Sequence, residues 1–148
     1  MDEAQTSRLF ELADLILAVG RHIGASKAAE AESGTPLEGA VMRYIDRHPG
    51  TLAGDAAEAT QMISSNFSRA VRRLEKAGLV RRDADQRDAR RVRLYPTEKA
   101  QENLQRLREI WSHLLEDAVT DSDEIDAAIS TLRNIETRLV ARSHPEAR

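Results

Sequence analysis

Between Ser64 and Lys99 the spacing of apolar residues changes once, and that change restricts the fold more than any other feature of the sequence. Phe67, Ala70, Val71 and Leu74 recur at intervals of three and four, which places them on one face of a helix over 64–77. Gly78 follows where a left-handed C-terminal cap belongs. Leu79–Asp83 and Arg90–Tyr95 then flank a polar turn. In the second of these, Arg91 and Arg93 alternate with Val92 and Leu94, the period of a half-buried strand. A helix followed by a β-hairpin is expected.

The same segment is electrically distinct. Residues 64–99 hold eleven basic side chains against five acidic ones, a net +6 that leaves −9 for the rest of a chain totalling −3. Such polarisation points to a polyanionic partner more than to solubility. Other classes are excluded by composition. The chain has no cysteine, so disulfides, thiolate metal sites and cysteine nucleophiles are ruled out. The histidines at 22, 48, 113 and 144 show no ligand spacing, so no metal and no cofactor is expected. Gly-rich phosphate loops and activated-nucleophile motifs are absent, so an enzyme is not expected. No apolar run reaches the roughly 18 residues that span a bilayer. Met1–Ser7 is polar and acidic, without a basic leader or cleavage site. A cytoplasmic protein without a membrane partner is the expectation.

The flanking regions read as helices. From Arg8 to about Lys27, Leu9, Leu12, Ala13, Ile16, Val19 and Ile23 form a wide apolar stripe. Gly20 and Gly24 either admit a close neighbour or loosen this helix's end. Thr35-Pro36-Leu37-Glu38 predicts a helix start with a capping box and proline at the first position. Leu37, Val41, Tyr44 and Ile45 should face inward until His48-Pro49-Gly50 stops the helix. Thr51–Ala53 fits a very short strand, and "GDAAEAT" a two-turn helix. A long helix opens at Thr97, with Ala100, Leu104, Leu107, Ile110, Trp111, Leu114 and Ala118 inward. Thr120–Asp123 caps a last helix carrying Ile125, Ala128, Ile129, Leu132, Ile135 and Leu139, and the tail "RSHPEAR" should fray.

Two short helices, the second rich in arginine, followed by a hairpin form a winged helix-turn-helix. The fold class expected is mainly α with a small β-hairpin wing. The apolar faces of the terminal helices exceed the needs of so small a lobe, so they are read as a dimerisation region. The expected layout is a single unit over 1–148, with a DNA-binding lobe at 36–96 and dimerisation helices at 8–30 and 97–141.

"SSNFSRAVRRLEKAGLVRRDADQRDARRVRLYPTEKA" resembles the recognition helix and wing of the MarR family of bacterial regulators. That family's wing carries Asp-x-Arg-Asp-x-Arg and then Thr-Glu-Lys, matched here by Asp85, Arg87, Asp88, Arg90, Thr97, Glu98 and Lys99. The resemblance implies a homodimeric regulator, most often a repressor, on a pseudo-palindromic double-stranded DNA operator. It also implies response to a small phenolic or anionic effector. At the family's recognition-helix cap this chain has Ile63, so Ser64 is expected to cap one residue later.

Residue roles follow. Ser64, Ser65, Asn66, Ser68 and Arg69 lie at or near the N-terminal half of the recognition helix, which meets base edges. Arg72, Arg73 and Lys76 are expected on phosphates. In the wing, Asp85 braces an arginine and Arg87 enters the minor groove. Arg90 is a second finger or a brace, and Arg91 and Arg93 touch phosphates. Leu9, Leu12, Ile16, Ile125, Ile129, Leu132 and Leu139 are the candidate dimer interface. His22, Met42 and Trp111 are the candidate ligand crevice, although a lone tryptophan in an Ala/Leu-rich helix also suits a core. The competing reading is a winged-helix protein-interaction module, which would need an apolar recognition-helix face in place of Ser, Asn and Arg.

Overall fold

The computed structural model describes residues 2–26 and 34–143. The first helix, α1 (Glu3–Gly24), starts five residues before the expected Arg8 because Asp2 caps it, its carboxylate accepting from Gln5 N at 2.7 Å. An acidic cap with Glu3 in the first turn suits the positive end of the helix dipole. The helix ends at Gly24, and nothing lies within 4 Å of a Cβ added at Gly20 or Gly24. The pair therefore admits no close neighbour within the described chain. Residues 27–30 of the expected dimerisation helix, and the tail from His144, lie outside the described residues.

Helix α2 (Pro36–Arg47) begins as its sequence requires. Thr35 Oγ1 accepts from Glu38 N, and Glu38 Oε2 accepts from Thr35 N, both at 3.2 Å. Val41 and Ile45 are fully buried, but Leu37, expected inward, is 56% exposed. It shares their angular face yet sits in the first turn, where Glu38 and Gly39 are the buried residues. After Gly50, whose φ of +81 makes the turn, β1 (Thr51–Leu52) runs into α3 (Ala53–Ala59) and then α4 (Ser64–Lys76). Gln61, at φ 55, makes the bend between these two helices.

Phe67, Ala70, Val71 and Leu74 are all buried on the inner face of α4. Gly78 adopts φ +77, and Leu79 N returns to Leu74 O at 2.9 Å, closing the helix in a Schellman motif. The hairpin is β2 (Val80–Ala84) and β3 (Val92–Pro96), with Arg82 opposite Leu94. Strand β1 joins the other edge of β3, giving an antiparallel sheet in the order β1-β3-β2. Thr97 caps α5 (Glu98–Leu115), accepting from Ala100 N at 3.2 Å, and donates to Gly78 O at 2.6 Å. Lys99 Nζ donates to Ala77 O at 2.7 Å. The Thr-Glu-Lys stretch thus fastens the start of α5 to the end of α4. Asp121 Oδ1 accepts from Asp123 N at 2.8 Å at the start of α6 (Ser122–Ser143).

One apolar cluster joins α2, α3, α4, the hairpin and Ala100. Helix α1 buries no residue, and along it and α6 Leu9, Leu12, Ile16, Ile125, Ile129, Leu132 and Leu139 stay exposed. Leu114 and Ala118 are exposed as well, while Leu104, Ile110 and Trp111 are half-buried. The lobe at 36–96, closed by the start of α5, is therefore the packed body from which the terminal helices extend. Among the described residues, no helix is long and apolar enough to cross a membrane.

Candidate nucleic-acid interface

With one face of α4 buried, geometry turns Ser64, Ser65, Asn66, Ser68, Arg69, Arg72, Arg73 and Lys76 outward, and all eight are exposed. The N-cap is Ile63, and no side chain bonds the first amides, so Ser64 does not act as the cap. Isoleucine has no acceptor to offer, and Ser64 already has helical geometry as the first residue of the helix. Arg69 donates from Nη2 to Asn66 Oδ1 at 3.1 Å, tying together the two side chains best suited to base edges. Arg72 and Lys76 have no ion pair among the described residues. Arg73 does: its Nη1 lies 2.9 Å from Glu38 Oε1. The pair ties that guanidinium to the start of α2.

The wing is organised by its two aspartates. Asp85 is buried, and its Oδ1 accepts from Arg93 Nε at 2.7 Å. Arg93 Nη1 also donates to Gly50 O at 2.8 Å, which connects the wing to the turn before β1. The hydrogen bond from Arg93 holds the Asp85 carboxyl below its ordinary range, opposed by burial and assisted by the charges of Arg93, Arg91 and Arg87. Arg93, expected on phosphate, is instead the braced arginine. Its Cβ alternates outward as predicted, but the side chain folds back onto Asp85 and is only half-exposed. At the tip, Asp88 Oδ1 accepts from Arg90 N at 3.1 Å and from Arg90 Nε at 3.2 Å, so Arg90 takes the bracing role. Asp88 O accepts from Arg91 N, and Arg91 O from Asp85 N, each at 2.9 Å. Arg81 pairs with Asp83 and lies over Tyr95, and Arg82 faces Glu75. Arg87 and Arg91 remain exposed without an ion pair among the described residues. The basic side chains here without an ion pair among the described residues are thus Arg69, Arg72, Lys76, Arg87 and Arg91. They lie along the outer face of α4 and on the wing.

Of the expected crevice residues His22, Met42 and Trp111, Met42 borders a cavity that the other two do not line. That cavity, between α2 and α5, is about 40 Å3. Arg43 lies over Trp111, 5.5 Å from the indole ring centroid, and the buried Trp111 Nε1 has no hydrogen-bond partner among the described residues. His22 is exposed on the last turn of α1. The larger space, about 570 Å3, is a groove where Ile16, Leu132, Ile135 and Leu139 approach Tyr44 and Arg47. Asp46 borders the small cavity, where burial pushes its carboxyl up to about 6 against the pull of Arg108. Of the remaining histidines, His48 stacks on Tyr44 and His113 lies 3.2 Å from Glu116. The described residues contain no cluster of metal-ligating side chains.

Residues 35–91 match the model of the MarR family. No curated protein matches the chain. Among solved structures, the transcriptional repressor CouR bound to a 23-mer DNA duplex is 24% identical with a TM-score of 0.69, over 91% of this chain and 97% of that one. A mutant MepR from a multidrug-resistant S. aureus clinical isolate is 21% identical with a TM-score of 0.72, over 86% and 96%. The PcaV transcriptional regulator from Streptomyces coelicolor, in complex with its natural ligand, is 21% identical with a TM-score of 0.62, over 84% and 88%. Residues 35–91 are thus similar to the MarR family, and the chain has the fold of the winged-helix regulators it matches.

Proposed function

We propose that the chain is a cytoplasmic, homodimeric transcriptional repressor without enzymatic activity that binds a pseudo-palindromic operator. In this reading residues 1–148 form one unit, the lobe at 36–96 binds DNA, and the helices at 8–30 and 97–141 form the dimer. Helix α4 enters the major groove, where Ser65, Asn66 and Arg69 meet base edges, flanked by Ser64 and Ser68. Arg72 and Lys76 meet phosphates. Arg87 enters the minor groove, Arg91 follows the backbone, and Asp85, Arg90 and Arg93 hold the wing in shape.

The observation that carries this reading is the division of the basic residues. Arg73, Arg81, Arg82, Arg90 and Arg93 are paired within the lobe, whereas Arg72, Lys76, Arg87 and Arg91 are left exposed and, among the described residues, without ion pairs. The polar face of α4 disfavours a protein-interaction module. The exposed stripes of α1 and α6 support a two-fold interface. A small phenolic or anionic effector would sit where the dimer helices meet the DNA-binding lobe, near Tyr44 and Arg47. An effector there acts only by binding one spacing of the two lobes better than another.

Selecting duplexes from a random pool, then measuring affinity against salt, tests the proposal. A selected palindrome bound at least about a hundredfold more tightly than random duplex supports it. Equal affinity for all duplexes, or none, contradicts it.

A further inference from the structure

The capping box of α2 has a third member. Glu38 Oε2 accepts from Thr35 N, while Oε1 accepts from Arg73 Nη1 at 2.9 Å. The Glu38 side chain is 7% exposed and that of Arg73 66%, so the carboxylate is the fixed end and the guanidinium reaches to it. At Gly34, φ is +137 and an added Cβ would collide with Glu38 Oε2. The carboxylate is thus held by the Thr35 amide and by Arg73 in the last turn of α4, with the turn at Gly34 close against it.

Val41 and Ile45 of α2 and Val71 and Leu74 of α4 meet in one apolar cluster. Apolar contact is non-directional and tolerates small rotations of one helix on another. An ion pair with one buried partner is weak evidence for net stability, and its best-attested use is to set register. We infer that Glu38 is a positioning residue for α4, setting the rotation of that helix against α2 through Arg73. This rests on the reading of α4 as the DNA-reading helix. On that reading Arg73 is withheld from DNA, and its neighbours Arg72 and Lys76 take the phosphates.

The test uses the full-length protein and Glu38→Gln, Arg73→Ala and the double variant. Glutamine keeps an acceptor for Thr35 N, so the cap survives while the charge partner is lost. Each single variant should weaken binding to the selected duplex about tenfold, and the double should be no worse than either. Affinity for random duplex and its salt slope should not change. In the protein without DNA, amide exchange across 64–76 should quicken in both variants while the wing stays as protected as before. Arg73→Lys, which still offers Oε1 a donor, should recover most of both effects. The inference is overturned if Arg73→Ala flattens the salt slope by about one while Glu38→Gln, freeing the guanidinium, tightens random duplex. If the parent protein selects no duplex, the DNA reading fails by itself. The exchange measurement then decides: quickened amides in α4 support the positioning role, and unchanged amides refute it.

Discussion

Thr97→Ala removes two hydrogen bonds at the joint between the end of α4 and the start of α5. The hydroxyl accepts from Ala100 N at 3.2 Å as a helix cap and donates to Gly78 O at 2.6 Å. Loss of a threonine cap costs about 1 kcal/mol. The second bond is solvent-accessible, so water replaces it and its loss adds only about 0.5 kcal/mol. Together these give roughly 1.5 kcal/mol, or a Tm lower by about 3–6 °C for a chain of this size. Thr97→Ser keeps both bonds and should melt within about 1 °C of the parent. Calorimetry at one fixed protein concentration provides the comparison, since a dimer's Tm depends on concentration. If the alanine and serine variants melt together, the joint is not where the Thr-Glu-Lys stretch acts.

Asp46, with a folded pKa of about 6 against its ordinary 3.8, favours the fold only when protonated. That contribution is complete below about pH 4 and lost as pH rises through 6, so Asp46→Asn should gain about 1 kcal/mol at pH 8, after allowance for its partial exposure, and almost nothing at pH 4. Urea midpoints at the two pH values check this, and an equal gain at both would contradict it. Asp85 has the opposite sign: its pKa is lowered by Arg93, so its contribution holds at neutral pH and is lost only as pH falls through the depressed value. Wing resonances should therefore be unchanged between pH 7 and about pH 5 and should shift at neutral pH in Asp85→Asn. Leu132→Asp places a charge in the exposed stripe of α6 and should lower the sedimenting mass from about twice 16.5 kDa to a single chain. A parent protein that already sediments as a single chain would refute the dimer.

Periodic features were legible in the sequence because each depends on a residue's own chemistry. The face of Phe67, Val71 and Leu74, the cap at Gly78 and the box at Thr35 and Glu38 all needed only spacing and backbone preference. What stayed hidden was the choice of partner. Glu38 reads locally as a capping residue, and nothing in the sequence shows that its second oxygen meets Arg73, thirty-five residues away. Arg93 alternates outward with Arg91, yet Asp85 and the carbonyl of Gly50 draw it back. Leu37 has the right angle on α2, but burial also depends on where the lobe ends. The crevice of His22, Met42 and Trp111 joined residues from three helices whose relative placement periodicity does not determine. The strongest available signal for the wing pair was charge: two aspartates among several arginines in a short loop have to pair with some of them.

The central claim is that the arginines left unpaired are the ones that read DNA, with Arg87 in the minor groove. The direct measurement is affinity of the parent protein and Arg87→Ala for a selected operator with A·T pairs at the wing position, and for the same site with G·C there. A narrow A·T minor groove concentrates negative potential, so the parent should prefer the A·T-flanked site. Arg87→Ala should lose roughly 1–3 kcal/mol per half-site on the A·T-flanked operator and most of the preference between the two sites. An Arg87→Ala protein that still prefers the A·T-flanked site as strongly as the parent would show that the wing tip is a solvated turn and that α4 alone reads the DNA.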